Sequence, residues 1–327
     1  MNLQGLVETA PNIEILNSFL VTNSKLESCS KAVCSVSGGS DSDIILDICA
    51  KLDESHKVTY VFFDTGLEFQ ATKDHIKQLE SKYGVEIRTE KPVKPIPTCC
   101  REYGVPFLNK QVSEMISRLQ RYDFKWEDRP FEELYSEYPK CKMALMWWCN
   151  GWEKGSRYNI DNNAYLKAFM VANPPDFKIS NKCCHYAKKL VAKRVKTDGG
   201  FDLSITGIRK AEAGARATAY KSCFTPAGDS TIDEYRPIFW YKQNEKEQYK
   251  EAYGIQYSDC YEIWGLPRTG CSGCPYARGF EDELIAVEKY EPKLFRALNA
   301  VFGKSYDYTR RYREFQNAMR RGGDVSC

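Results

Sequence analysis

The sequence is organised around six consecutive residues, Ser37-Gly38-Gly39-Ser40-Asp41-Ser42. A mostly apolar, β-prone run, Ala32–Val36, comes immediately before them, and residues 43–52 follow with apolar side chains at helical spacing. The pattern predicts a strand, a glycine turn and a helix. Because glycines let backbone amides approach an anion, and a helix begins with its positive dipole end, this arrangement favours phosphate binding.

The side chains of this glycine loop (residues 37–42) extend that interpretation. Ser37, Ser40 and Ser42 supply hydroxyl groups. Asp41 is an acid at a predicted anion site, so we expect a cation between the two negative groups, and Mg²⁺ is the usual one. The alternative is a glycine turn with a serine that caps the helix. The loop is not a Walker A motif, which requires Gly-x4-Gly-Lys-Ser/Thr.

The next elements predict the fold class. Val58–Phe63 is a β-rich run suited to a buried parallel strand, and Asp64-Thr65-Gly66 follows it. A helix is expected over residues 68–83 and a third strand over 85–88. This alternation predicts an α/β fold with a parallel sheet, whose ligands bind at the carboxyl ends of the strands. The glycine loop and Asp64-Thr65-Gly66 both lie at such ends.

We divide the chain into four predicted regions. Residues 1–95 form the first half of the α/β domain, and residues 96–177 are a mostly helical insert. The tryptophans of the insert are expected in its core rather than as a base-stacking platform. Residues 178–280 complete the α/β domain, with a strand over 201–205. Residues 281–327 form a helical C-terminal segment, with helices over 281–289, 292–301 and 308–320.

Composition narrows the class of protein. The chain has 327 residues, 43% of them hydrophobic, and a net charge of +3. No apolar run reaches the length of a membrane span, and the N-terminus lacks the pattern of a secretion signal, so we expect a cytoplasmic protein with no membrane partner. Residues 178–196 contain seven basic residues and no acid. Such a stretch is most often a solvated helix face, and otherwise faces an anionic substrate or nucleic acid.

The chain contains 14 cysteines and only 3 histidines. A cytoplasmic chain keeps its thiols reduced, so cysteine clusters indicate metal binding or catalysis. Cys183 and Cys184 are adjacent, and Cys271 and Cys274 form a Cys-x-x-Cys pair. Four thiolates can hold one tetrahedral zinc ion or one [4Fe–4S] cluster, and the adjacent pair favours the cluster because its irons are separated. A zinc site and a redox-active Cys-x-x-Cys remain open, and Cys99-Cys100 could ligate in place of, or together with, Cys183-Cys184.

Residues 31–93 and 179–279 resemble the phosphoadenosine phosphosulfate (PAPS) reductase family of the PP-loop ATP pyrophosphatase superfamily. The glycine loop is similar to the PP-loop, and the two cysteine pairs are similar to the [4Fe–4S] pattern of the adenylyl sulfate reductase branch. Four other segments carry the resemblance: Val61-Phe62-Phe63-Asp64-Thr65-Gly66, Lys182-Cys183-Cys184 with Lys188, Gly207-Ile208-Arg209 with Glu212 and Arg216, and Arg236-Pro237-Ile238 with Trp240. The Cys-Cys segment lacks the arginine of the family pattern.

The resemblance implies an adenine nucleotide α-hydrolase-like domain that binds ATP and Mg²⁺. It implies a nucleotide site made of Ser37, Gly38, Gly39, Ser40, Asp41, Ser42, Asp64, Thr65, Gly66, Gly207 and Arg209. Catalytic roles fall to Asp41, Arg209 and Arg216, and the [4Fe–4S] ligands are Cys183, Cys184, Cys271 and Cys274.

Two departures from the sulfonucleotide reductases shape the expected activity. Those enzymes end in a Glu-Cys-Gly-x-His-type tail with a catalytic cysteine, whereas Cys327 is terminal and lacks that context. They also carry a degraded PP-loop, whereas this loop is intact. The combination is most similar to the ATP pyrophosphatases of DNA phosphorothioation systems (Dnd and Ssp types). It implies a sulfurtransferase-type enzyme that cleaves ATP to AMP and pyrophosphate and adenylates an acceptor oxygen, with DNA phosphate as a candidate acceptor.

In this interpretation Lys188, Lys189 and Lys193 attract the anionic acceptor, and a cysteine desulfurase donates the sulfur. Two alternatives from other classes stay open. The first is an adenylyl sulfate or PAPS reductase, which would bind AMP-like ligands without releasing pyrophosphate. The second is a cluster-bearing regulator that senses nucleotide and binds DNA with a steep dependence on salt.

Overall fold

The structure is a computed structural model that describes residues 3–212, 219–228 and 232–323. Its helices in chain order are α1 Leu3–Thr9, α2 Ile13–Ser28, α3 Ser40–Leu52, α4 Gln70–Tyr83, α5 Ile96–Tyr103, α6 Lys110–Gln120, α7 Phe131–Glu137, α8 Lys142–Trp148, α9 Leu166–Ala172, α10 Lys182–Cys184, α11 Leu190–Asp198, α12 Gln243–Tyr253, α13 Asp259–Glu262, α14 Phe280–Tyr290 and α15 Pro292–Gly323. Its strands are β1 Ala32–Val36, β2 Val58–Phe63, β3 Ile87–Glu90, β4 Leu203–Ile205, β5 Phe224–Thr225 and β6 Asp233–Tyr235. Within the described ranges, no helix has both the length and the apolar character that a membrane crossing requires.

The described residues form two compact units, and each is built from two separate stretches of chain. The first unit lies within Met1–Val93 and Ala187–Ser272. The second lies within Lys94–Tyr186 and Gly273–Cys327. All six strands belong to the first unit, and the predicted helical insert, residues 96–177, belongs to the second.

The first unit is an α/β fold around a mostly parallel sheet, which confirms the predicted fold class. The strand order is β3-β2-β1-β4-β6-β5, and only β5 runs antiparallel to its neighbour. Strand β1 pairs with β2 on one side and with β4 on the other, so the direction in which successive strands are added to the sheet reverses at β1. In open α/β sheets, ligands bind in the crevice at the carboxyl end of such a strand. The glycine loop begins there.

The core of this unit is formed by the apolar faces that the sequence pattern predicted. Ile44, Ile45 and Ile48 on α3 are fully buried, and they belong to one cluster with the inward side chains of β1 and β2. Helix α2 contributes Phe19, whose ring packs edge-on to Tyr253 of α12. Helices α2 and α3 therefore pack on the sheet, and this packing fixes the start of α3 relative to β1.

Several predicted boundaries are wrong by a few residues. Strand β3 begins at Ile87 rather than at 85, because Gly84 ends α4 in the left-handed region and the Val85 amide still bonds to Glu80 of that helix. Strand β4 begins at Leu203 rather than at 201, because the carboxylate of Asp202 accepts hydrogen bonds from the backbone amides of residues 30 and 31. Helix α12 and the short strands β5 and β6 were not predicted.

The C-terminal segment contains one long helix where we predicted two. Helix α15 continues through Gly303, which lies between the two predicted helices. A helix tolerates an interior glycine when tertiary packing outweighs its cost of about 1 kcal/mol. Phe302 and Tyr306 on either side of Gly303 are buried at 2% and 0% exposure, and they supply that packing.

The second unit is helical and has an aromatic core. Trp147 and Trp148 of α8 are 1% and 0% exposed. The indole Nε1–H of Trp148 donates to the Glu127 carbonyl oxygen at 2.9 Å, so its only polar group is satisfied. Tyr308 of α15 packs on the same cluster through Phe107. The tryptophans of α8 therefore belong to the core.

We expect Trp148→Ala to destabilise the second unit by about 3–5 kcal/mol, because it leaves a cavity and an unpaired Glu127 carbonyl. Trp152→Ala is the matched control, since this side chain is 37% exposed and its loss should change stability by about 0.5 kcal/mol or less. Denaturant unfolding followed by far-UV circular dichroism measures both. Equal effects for the two substitutions would contradict the assignment of Trp148 to the core.

Candidate nucleotide site and thiol cluster

The glycine loop follows β1 and leads directly into α3. Gly38 has φ +64°, in the left-handed region, and a Cβ atom added there would lie 2.7 Å from Cγ2 of Thr72 on α4. Gly39 is the N-cap of α3. Gly38 therefore meets two requirements that only glycine satisfies: a left-handed backbone and close approach of a neighbouring helix.

The hydroxyl of Ser42 ties the loop together. It accepts from the Gly39 amide at 3.1 Å and from the Ser37 hydroxyl at 3.2 Å, and it donates to the Gly39 carbonyl oxygen at 2.8 Å. Two of the three predicted serine ligands are thus bound to each other in this structure. The turn is held in shape by its own side chains, which preorganises the start of α3.

The acid of the loop lies between two cations. Oδ1 of Asp41 is 2.9 Å from Nε of Arg209 and 2.7 Å from Nζ of Lys246. The Lys246 ammonium also donates to Oγ of Ser40 at 2.7 Å. This group of one carboxylate and two cations carries an excess of one positive charge, and the other acid of the first turn, Asp43, is paired with His75. That excess, added to the positive end of the helix dipole, suits a phosphate group.

Gly207 brings the chain after β4 close to the start of α3. A Cβ atom on Gly207 would lie 3.1 Å from the backbone C and O of Asp41. This close approach allows Arg209, two residues later, to reach the carboxylate. The structure therefore brings together three predicted site residues, Asp41, Gly207 and Arg209. Arg216, the third predicted catalytic residue, lies outside the described residues.

The second predicted motif, Asp64-Thr65-Gly66, follows β2. The Gly66 amide donates to Oδ1 of Asp64 at 2.8 Å, and Oδ2 of Asp64 is 3.2 Å from Nζ of Lys73. The Thr65 hydroxyl donates to the buried carboxylate of Glu68 at 2.7 Å. Burial raises the pKa of Glu68, and the charge of Lys188 at 3.9 Å works against that rise. Glu68 was not among the site residues predicted from the sequence.

Two more groups at the loop were missed. The hydroxyls of Tyr261 and Thr269 lie 3.1 Å apart, and a Cβ atom on Gly39 would lie 3.2 Å from both oxygens. They therefore cover Gly39.

Lys246 was also missed, because it is 206 residues from Ser40 and lies on a helix whose sequence is otherwise that of a charged surface.

A buried pair of side chains, Asp43 and His75, lies next to the glycine loop. Nε2 of His75 on α4 is 2.8 Å from Oδ2 of Asp43 on α3. Burial raises the pKa of Asp43, although His75 opposes the rise. Burial disfavours the charged His75 ring, but the hydrogen bond and charge of Asp43 outweigh it and raise the pKa of His75. The hydrogen bond between the two side chains connects α3 to α4.

Arg236, from the predicted segment Arg236-Pro237-Ile238, has a structural role in the sheet. It is fully buried and donates to Glu234 at 2.7 Å and to the Thr225 hydroxyl at 3.0 Å. Its guanidinium carbon lies 3.7 Å from the centre of the Tyr220 ring. Arg236 therefore connects β5 to β6, and Trp240, four residues later, is half-exposed.

Four thiols belong to the second unit and are close together there. Cys183 on α10 contacts Cys100 on α5, and this contact raises the pKa of the Cys183 thiol; Cys184 opposes the rise, and burial and the charge of Cys274 add to it. Burial, with smaller contributions from Cys183, Cys184 and Cys274, also raises the pKa of Tyr276. Cys100 thus joins three of the four predicted ligands.

Backbone contacts hold these elements in place. A Cβ atom on Gly104, at the end of α5, would lie 2.4 Å from the carbonyl carbon of Lys178, which fixes α5 against the segment that leads to α10. The Gly273 amide donates to Glu283 at 2.6 Å, and the Tyr306 hydroxyl donates to the Gly273 carbonyl oxygen. These bonds fix the loop that carries Cys274.

The donor set has the chemistry of an iron–sulfur or zinc site, because it consists of thiols alone. In the described part of the chain, no group of three or more His, Cys, Asp or Glu side chains is arranged to hold a metal ion. Cys271 belongs to the first unit, and its role as a ligand stays a prediction.

We expect Gly38→Ala to weaken binding of inorganic pyrophosphate by at least about tenfold, because it strains the loop and displaces Thr72. Gly84→Ala is the matched control: its φ is +62°, and a Cβ atom there meets nothing within 4 Å. Isothermal titration calorimetry compares the two variants. A loss of affinity in Gly84→Ala as large as in Gly38→Ala would show that the close approach at Gly38 is unimportant.

Three solved structures are similar to the chain. PAPS reductase from Candida auris is 15% identical, covers 82% of this chain and 93% of its own, and has a TM-score of 0.45. NH3-dependent NAD synthetase from Campylobacter jejuni is 12% identical over 97% of this chain and 96% of its own, with a TM-score of 0.37. The U34-tRNA thiolase NcsA from Methanococcus maripaludis, solved with its [4Fe–4S] cluster, is 13% identical over 92% of this chain and 80% of its own, with a TM-score of 0.36. None of these similarities assigns an activity.

None of the curated proteins matches the chain. A family model does match part of it, from residue 31 to residue 146. The matched segment begins just before β1 and contains the glycine loop, Asp64-Thr65-Gly66 and α5. Residues 31–146 are thus similar to the phosphoadenosine phosphosulfate reductase domain.

Proposed function

We propose that this protein is an ATP pyrophosphatase of the PAPS reductase type that activates an acceptor for sulfur transfer. ATP is cleaved to AMP and pyrophosphate, and AMP is attached to an oxygen of the acceptor. The observation that carries the proposal is the pair of cations, Arg209 and Lys246, on the acid of an intact glycine loop. This arrangement supplies positive charge where pyrophosphate would leave.

The chemistry of the loop follows from charge. A nucleoside triphosphate and its departing pyrophosphate are highly anionic, and preorganised cations stabilise the charge that builds up on the leaving group. Asp41 is the acid that would hold Mg²⁺, and the amides of Gly38 and Gly39 lie at the start of α3. Asp64 and Thr65, at the end of β2, are proposed to lie beside the nucleotide.

The proposed reaction has two stages. An acceptor oxygen attacks the α-phosphorus, and the bond to the β-phosphate breaks with release of pyrophosphate. The acceptor oxygen then leaves as part of AMP when the outer sulfur of a persulfide attacks the activated atom. A thiol reductant cleaves the remaining sulfur–sulfur bond and releases the thiolated product. ATP is needed because AMP is a far better leaving group than hydroxide or oxide.

The sulfur side of the proposal rests on the thiols. Cys183, Cys184, Cys271 and Cys274 are the proposed ligands of a [4Fe–4S] cluster, which when bound would supply one-electron redox chemistry. The persulfide would come from a cysteine desulfurase. The cluster and the persulfide donor both fit a protein of the cytoplasm, where thiols stay reduced.

We propose an anionic acceptor, with DNA phosphate as the candidate. Lys189 and Lys193 are exposed on and beside α11, and Arg194 on the same helix is 3.0 Å from Glu90. Exposed lysines without fixed geometry attract polyanions through charge rather than through specific contacts. Binding of this acceptor should therefore weaken steeply with salt.

The proposal is tested by pyrophosphate release from ATP in the presence of Mg²⁺, a persulfide donor and duplex DNA. We expect release in the wild-type protein and its loss, by about a hundredfold or more, in Asp41→Asn, because the metal ligand is removed. Asp74→Asn, an exposed change on α4, should retain activity.

Two results would contradict this proposal. Binding of adenylyl sulfate with production of sulfite and no pyrophosphate would identify a sulfonucleotide reductase. Binding of nucleotide and DNA with no turnover would identify a regulator.

Cys100 gives a separate prediction about the cluster. After anaerobic purification, we expect Cys100→Ser to contain less iron than the wild type and to have a weaker absorption band near 400 nm, because Cys100 contacts Cys183. Cys99→Ser is the matched control, since this neighbouring thiol is also buried but donates to the Lys94 carbonyl oxygen at 3.5 Å. Iron loss in Cys99→Ser alone, or zinc in place of iron in the wild type, would contradict the prediction.

A further inference from the structure

We propose that Lys246 is a phosphate-binding residue of the glycine loop, supplied by α12, and that it contacts the pyrophosphate part of the nucleotide. In this structure its ammonium lies on Asp41 and Ser40, at 2.7 Å from each. The inference rests on the proposed function for the identity of the nucleotide, but not for the identity of the ligand group, which is a phosphate anion.

The position of Lys246 is fixed by the fold and does not depend on a ligand. Lys246 and Tyr249 are the buried residues of α12, and they are three positions apart on one face. Tyr249 donates to Asp47 of α3 at 2.5 Å, while Lys246 reaches Ser40 of the same helix. Ser40 and Asp47 are seven residues, or two turns, apart. Helix α12 therefore lies along α3 and is bound at two points.

Because Lys246 is buried, its positive charge favours the binding of an anion beside it. Its side chain is 8% exposed, and that of Arg209 is 12% exposed. Among the described residues, Asp41 is the one carboxylate in ion-pair contact with these two cations, so a single negative charge faces two positive charges in a largely desolvated place. An uncompensated buried charge is costly, and an arriving anion removes that cost. A phosphate is the anion that suits the amides and the helix start beside it.

The two cations differ in what they can do. Arg209 has a planar guanidinium, and it leaves the loop after β4, where Gly207 fixes the backbone against Asp41. Lys246 has a compact ammonium with three donors on a flexible stem. The ammonium can therefore turn from Asp41 toward a phosphate oxygen while Arg209 remains on the carboxylate. Lys246 would thus contact the ligand, and Arg209 would stay on Oδ1 of Asp41, which leaves the other carboxylate oxygen available.

The test uses the full chain, with inorganic pyrophosphate and AMP as probes in isothermal titration calorimetry. We expect Lys246→Met to weaken pyrophosphate binding by about 10- to 100-fold and to leave AMP binding within about twofold, since AMP lacks the distal phosphates. The fold should survive because Asp41 keeps Arg209 as its partner. Lys246→Arg retains the charge and should restore part of the affinity.

Lys250→Met is the matched control. Lys250 lies one turn further along α12, and its ammonium is 2.6 Å from the exposed Glu262. Removing it deletes the same charge from the same helix without touching the loop. We expect pyrophosphate affinity to stay within about twofold of the wild type, since Lys250 is a partly exposed charge that pairs with Glu262.

Three results would overturn the inference: a wild-type protein that does not bind pyrophosphate, unchanged pyrophosphate binding in Lys246→Met, or equal losses of pyrophosphate and AMP binding with a lower melting temperature. If Lys246→Met fails to fold, Lys246→Arg and the salt dependence of wild-type binding decide the question. A protein that binds pyrophosphate through Lys246 but releases none from ATP would disprove the proposed function and leave this inference standing.

Discussion

The carboxylate of Asp41 and its two cations organise the first unit around a single point. Asp41 comes from the start of α3, Arg209 from the chain after β4, and Lys246 from α12. A separate structural feature positions each of these three side chains. The helix cap at Gly39 positions Asp41, the close approach at Gly207 positions Arg209, and the docking of α12 through Tyr249 positions Lys246. A buried ion group of this kind is weak evidence for stability.

Local pattern in the sequence was enough to predict the central elements. Strands β1 and β2 are continuous apolar runs, and the glycine loop must turn between a strand and a helix, so both follow from periodicity. The parallel sheet followed from the alternation of strand and helix. The short strands β5 and β6 could not be predicted, because two or three residues carry no period and their pairing depends on buried Arg236.

The missing parts of the site are contacts between distant positions. Lys246 reaches Ser40 across 206 residues, and its neighbours in sequence are those of an ordinary charged helix. Cys100 was an open alternative in the sequence, and the packing of α5 against the segment before α10 is what brings it to Cys183. The continuous helix α15 has the same cause, since its interior glycine is compensated by tertiary packing that the local sequence does not show.

The division of each unit between two stretches of chain has a consequence for synthesis. Strand β1 leaves the ribosome well before its neighbour β4, because the whole of Lys94–Tyr186 and α11 lie between them in the chain. At translation rates of about 5–20 residues per second, one edge of β1 stays unpaired for on the order of ten seconds or more. An apolar strand with a free edge is a template for wrong pairing. Nascent chains of this protein should therefore depend on chaperones until β4 arrives.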